Sequence, residues 1–123
     1  MRKLVAALAA LPLLTGPAAA LAAAPAPARV QVAAKEFYFL LSRRSVVAGP
    51  AIIELVNFGE DPHDMRIQRV GGAHVGGTPD VQPGDYFDLN VTLLRGTYHL
   101  WCSIANHRQL GMQAVLTVVA RPR

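Results

Sequence analysis

From Arg29 onward the chain alternates short apolar runs with breakers at close spacing. Val30 and Val32 alternate with polar neighbours, and the run as far as Leu41 is rich in β-branched and aromatic residues. Ser45-Val46-Val47 leads into an Ala48-Gly49-Pro50 turn, and the stretch from Ala51 to Phe58 reads as a strand. The breakers between Asn57 and Pro62 mark a loop. His63 then opens a strand reaching Val70, with Met65, Ile67 and the stem of Arg69 on one parity. The segment from Gly71 to Gly77 is dense in glycine and reads as a flexible surface loop. Gln82-Pro83-Gly84-Asp85 is a turn before a strand near Tyr86 to Leu93. Arg95-Gly96-Thr97 turns the chain back into Tyr98-His99-Leu100-Trp101-Cys102, and a last strand runs from Met112 to Val119. No segment sustains a helical period with caps, and there are no internal repeats. About seven to eight short strands with regular turn signals predict an all-β protein, a Greek-key β-sandwich, as one domain over residues 29–120.

The first residues do not fit that pattern. Met1-Arg2-Lys3 is a short cationic start, and Leu4 to Leu14 is apolar except for Pro12. An alanine-rich tract follows, ending in Pro25-Ala26-Pro27. A basic start, an apolar run and small residues for the cut describe a secretory signal peptide over residues 1–24. The cut falls after Ala20, Ala24 or Ala26. The rival reading is a retained anchor, but a spanning helix wants about 20 apolar residues without strong breakers. Pro12, Gly16 and Pro17 interrupt this one. The expected protein is therefore exported, periplasmic or extracellular, without stable membrane insertion after cleavage.

Charge changes the picture little. The chain has 12 basic and 8 acidic residues, and loss of Arg2 and Lys3 leaves ten against eight, a net charge of about +2. That is too weak and too scattered for a nucleic-acid footprint. Cysteine usage says more. An exported chain meets an oxidising compartment, where cysteines normally pair. Cys102 is the single cysteine, so no internal disulfide can form. It is a thiol for intermolecular pairing, a functional thiol, or a small buried hydrophobe.

Its neighbours bear on that choice. Cys102, His107 and Met112 stand in one loop at Cys-x4-His-x4-Met spacing. Between two strands such a loop can fold back so that thiolate, imidazole and thioether converge. This donor set suits one copper ion that must be held as both Cu(I) and Cu(II). A trigonal His2Cys site with a long axial Met needs a second imidazole. His63, at a strand start directly after Pro62, is the natural donor.

With those residues in view, the sequence resembles the plastocyanin/azurin family of cupredoxins over nearly all of the mature chain. The resemblance is carried by the Ala48-Gly49-Pro50 turn, the strand ending Val56-Asn57, the Pro62-His63 pair, Gly96-Thr97-Tyr98 and the Cys/His/Met loop. The gaps on either side of His107 are similar to the rusticyanin-like arrangement. The resemblance implies a cupredoxin-like fold and a type 1 (blue) copper site with His63, Cys102, His107 and Met112 as ligands. Pro62 before His63 implies four-coordination, and Gly111 adjoins the axial Met112. Family members commonly carry Asn after the first ligand His, and here that residue is Asp64. Asp64 either accepts bonds from the Cys loop, its charge favouring Cu(II), or is a solvated carboxylate at a strand start.

The same resemblance assigns the exposed edge of His107 as the main electron port. Ile104, Ala105 and Leu110 would form an apolar patch around it, where Arg108 could steer acidic partners. Trp101 is either a second port or an exposed aromatic without a role. Multicopper oxidases and copper nitrite reductases have a His beside the ligand Cys; here the neighbours are Trp101 and Ser103. The expected function is one-electron transfer between transient redox partners by a monomer that is not an enzyme. The alternatives are an extracytoplasmic copper carrier or resistance protein, a metal-free binding scaffold, and a domain serving a separate oxidase subunit. His99 is expected on the surface, His74 solvated in the glycine loop, and Met65 in the core.

Overall fold

The computed structural model describes residues 14–123; the cationic start and most of the apolar run of the expected leader lie outside them. Residues 14–27 are exposed and without regular structure. No helix among the described residues is long and apolar enough to cross a membrane. Nine strands follow: β1 (Ala28–Lys35), β2 (Tyr38–Leu41), β3 (Ser45–Val47), β4 (Gly49–Asn57), β5 (Arg66–Arg69), β6 (His74–Gly77), β7 (Tyr86–Leu93), β8 (Gly96–Trp101) and β9 (Gln113–Val119).

They form two mixed sheets, in the orders β2-β1-β4-β7 and β3-β9-β8-β5-β6. The β1–β4 and β3–β9 pairs are parallel and the others antiparallel. The period-2 pattern decides which face is inside. Val30, Val32 and Ala34 on β1 and Ala51, Ile53 and Leu55 on β4 turn inward from the first sheet. Ile67, Tyr98, Leu100, Leu116 and Val118 meet them from the second. Each fully buried aliphatic side chain contributes about 1.5–3 kcal/mol relative to exposure, and this sandwich core supports the loops at its ends.

The strand count exceeds the expected seven to eight for two reasons. The stretch from Val30 to Leu41 is a hairpin, bent at Glu36 and Phe37 without a Gly, Pro, Asn or Asp to signal the turn. The second difference is a correction. Residues 74–77 are not loop but β6, paired antiparallel to β5 with a register shift between Ile67 and Gln68. Glycine is a poor strand former in general, yet Gly77 lies where a Cβ would press on the Arg66 side chain. His63 also differs from expectation. It makes an isolated bridge with Val81, and the strand proper begins at Arg66.

Tyr98 closes the far side of the core. It is 1 % exposed, and its hydroxyl oxygen accepts the Leu94 N–H at 2.9 Å. Tyr98→Phe keeps the ring and removes that acceptor, so it should cost about 1 kcal/mol. Urea unfolding would show a lower midpoint at unchanged slope; an unchanged midpoint would contradict this.

Candidate metal centre

Cys102 follows directly on β8, and the strand's alternation carries its side chain inward beyond Tyr98 and Leu100, where it is fully buried. The loop that follows is laced to itself. Cys102 N–H donates to the Met112 carbonyl at 3.1 Å, and Met112 N–H donates to the His107 carbonyl at 3.0 Å. His107 N–H donates to Ile104 at 3.1 Å, and Gly111 N–H to Arg108 at 3.1 Å. Gly111 takes φ +117, a backbone region that side chains rarely adopt, so this turn requires glycine. Met112 returns to the interior with no exposed surface and leads into β9.

On the other side, His63 is clamped through its bridge: its N–H donates to the Val81 carbonyl at 3.1 Å, and its carbonyl accepts the Val81 N–H at 2.7 Å. Asn57, fully buried at the end of β4, secures both flanks of this bridge. Its amide donates to the Asp61 and Val81 carbonyls at 2.7 and 2.8 Å, and its oxygen accepts the Gly59 N–H at 2.8 Å. Asn57 appeared in the sequence only as a strand end.

The two segments bring three donor atoms together. Donor atoms of His63, Cys102 and His107 all lie within 4.8 Å of one another, and all three residues are buried. His63 Nδ1 and His107 Nδ1 are 3.3 Å apart, and Cys102 Sγ is 3.6 Å from His107 Nδ1. The second nitrogen of His63, Nε2, is 2.9 Å from the Glu36 carboxylate. A carboxylate accepts only, so Nε2 carries the proton and Nδ1 presents its lone pair to the cluster. Burial pushes the Cys102 thiol up, against the N–H groups of Asp64 and Ile104 that favour its thiolate. A buried thiol beside two imidazole nitrogens, with a buried thioether at the loop's end, is a donor set for a soft or borderline metal ion.

Asp64 links the segments. It is 1 % exposed, accepts the Ser103 N–H at 2.6 Å and the Ser103 hydroxyl, and pairs with Arg66 at 3.2 Å. Of its two expected roles, the geometry supports the pin and not the solvated carboxylate. Asp64→Ala strands the Ser103 N–H while Arg66, 40 % exposed, rehydrates. The loss should therefore be that of charge-assisted bonds, about 2–3 kcal/mol, read by thermal or denaturant unfolding of metal-free protein. A change within 0.5 kcal/mol, the size typical of neutral surface sites, would contradict the pin.

The remaining expected residues are spread around the loop. Pro62 and Gly111 are exposed beside their buried neighbours. Trp101 is half-buried, and the exposed Arg108 places its guanidinium 4.7 Å from the Trp101 ring centroid, a cation–π contact. Leu110 and Ala105 are exposed and Ile104 half-buried. His99 is on the surface and Met65 in the core, as expected.

Two neighbours of the centre went unforeseen in the sequence. Phe37 packs against His107, with ring centroids 4.7 Å apart. Glu36 accepts the N–H groups of Glu60 and Asp61 as well as His63. The Asp61 N–H above all holds its carboxyl down at about 2, against some opposing desolvation. The only sequence signal for either is their place in a turn at the end of β1.

No protein-family model matches the chain. No curated protein sequence matches it either. Solved structures do. Reduced auracyanin from Roseiflexus castenholzii superposes with a TM-score of 0.63 at 17 % identity, over 77 % of this chain and 99 % of that one. Auracyanin A from Chloroflexus aurantiacus gives 0.62 at 16 % identity, over 76 % and 100 %. Reduced rusticyanin gives 0.54 at 20 % identity, over 77 % and 82 %. The fold is that of the cupredoxins. Within that fold, Cys102 and His107 of the cluster come from the loop between β8 and β9, and His63 from the connection between β4 and β5.

Proposed function

We propose that this chain is an exported mononuclear type 1 copper protein that carries single electrons between redox partners. The observation that carries the reading is the buried convergence of His63 Nδ1, His107 Nδ1 and Cys102 Sγ, three donors within 4.8 Å. Softness of the thiolate and intermediate imidazoles match copper in both oxidation states. The likeness to auracyanin A, a "blue" copper protein, supports the same choice. Export rests on the leader pattern of residues 1–24 alone.

Copper held there would supply a one-electron Cu(I)/Cu(II) couple. The residues supply the rest. Cys102, His63 and His107 would hold the ion, with the Met112 thioether as a weaker fourth donor. The Asp64–Ser103 bonds and the laced loop fix the donors in place, so little rearrangement accompanies a change of charge. His107, 7 % exposed, is the ligand nearest solvent and the exit for the electron. Leu110, Ala105 and Ile104 share its loop and suit a weak apolar contact with transient partners. Trp101 and Ser103 flank Cys102, leaving no His beside the ligand Cys to serve a second copper centre.

The test is Cu(II) addition to the mature protein. One equivalent should produce an intense thiolate-to-copper absorption band, with reversible voltammetry and fast electron exchange. Copper bound without that band would reject the type 1 site and favour the carrier reading.

A further inference from the structure

The turn between β1 and β2 reaches both imidazoles, Phe37 touching His107 and Glu36 touching His63. Glu36 Oε1 accepts three N–H donors, each at 2.9 Å: His63 Nε2 and the backbone of Glu60 and Asp61. The carboxylate has a built seat. A Cβ on Gly59 would collide with it, so a larger residue there must push the carboxylate out of this seat. Asp64, the other carboxylate beside the cluster, has its charge offset by Arg66 at 3.2 Å. Among the described residues, the only ion-pair partner of Glu36 is His63 itself.

This arrangement has two effects on His63. With Nε2–H held by Glu36, the ring carries its lone pair on Nδ1, the nitrogen 3.3 Å from His107 Nδ1. An outer carboxylate on a metal-binding histidine fixes its tautomer and orientation and raises its basicity. The same carboxylate also adds a negative charge one imidazole away from the ion, which favours the more highly charged oxidation state.

We propose that Glu36 is a positioning residue for the metal centre, holding His63 in the Nε2–H tautomer and favouring Cu(II) over Cu(I). The redox half of this rests on the copper reading above. Three variants of the mature protein separate the effects. Glu36→Ala removes acceptor and charge, Glu36→Gln removes the charge but keeps an acceptor, and Gly59→Ala displaces an intact carboxylate.

In copper-loaded protein, Glu36→Ala should bind Cu(II) about 10–100-fold more weakly, the usual effect of losing an outer partner. The Cu(II)-to-Cu(I) affinity ratio should fall about tenfold in both Glu36 variants, a rise of about 59 mV for a one-electron couple. Gly59→Ala should move in the same direction. In metal-free protein, 15N NMR should show His63 as the Nε2–H tautomer in the parent and as a mixture in Glu36→Ala. Either an unchanged tautomer or an unchanged potential in folded Glu36→Ala overturns the proposal. If the parent shows no thiolate-to-copper band, the copper reading fails separately, and the tautomer measurement still decides whether Glu36 holds His63.

Discussion

Cys102→Ser is expected to abolish the thiolate-to-copper band entirely while the sandwich stays folded. The band needs a sulfur-to-metal bond, and a serine hydroxyl stays protonated and is a hard, weak donor for copper. The change is nearly isosteric at a fully buried position. The backbone bond from residue 102 to the Met112 carbonyl is independent of the side chain. Burying a hydroxyl in place of the thiol should cost about 1–3 kcal/mol, well short of unfolding a domain of this size. Absorption spectroscopy after Cu(II) addition reads the first effect and thermal unfolding of metal-free protein the second. A retained intense band would show that some other residue supplies the chromophore.

Asn57→Ala is expected to be the most damaging single polar substitution at this end of the sandwich. One fully buried amide makes three side-chain bonds, to Asp61, Val81 and Gly59. Val81 keeps the His63 N–H as a donor, but the Asp61 carbonyl and the Gly59 N–H lose this partner. At about 1 kcal/mol per bond, with more for a buried group left unpaired, the loss should reach about 2–4 kcal/mol. The site should suffer too, because Asp61 lies two residues before His63 and Val81 is its bridge partner. Denaturant unfolding measures the loss, with exposed Asn90→Ala as the control expected within about 0.5 kcal/mol. Equal effects in the two variants would remove Asn57 from this role.

The two sheets were legible where one face is buried and one is wet. On β4 and β8 the alternation of Ile53, Leu55, Tyr98 and Leu100 with exposed or half-exposed neighbours follows directly from the period of the strand. It failed where backbone pairing, not side chains, makes the strand. β6 is glycine-rich and exists because β5 offers a partner edge. The Glu36–Phe37 bend carries no turn residue, so the hairpin and both contacts it makes to the histidines were invisible. Within the centre, Cys102, His107 and Met112 could be grouped because one loop holds all three. His63 had to be placed by its position after Pro62. Asp64 had two readings because its partner Ser103 is 39 positions away in sequence, and only the fold brings them together. Glu36 was missed for the same reason, its partner His63 being 27 positions away, and so was the bond of Asn57 to Val81, 24 positions away.

The central claim is that His63, Cys102 and His107 form one copper site. A crystal structure of copper-loaded mature protein, with anomalous data at the copper edge, tests it most directly. The account predicts one copper peak bonded to Cys102 Sγ and to Nδ1 of both His63 and His107, with Met112 Sδ as the distant fourth ligand and Glu36 still on His63 Nε2. A copper peak on His74 or His99 with the buried cluster empty, or coordination that leaves Cys102 unbound, would contradict it.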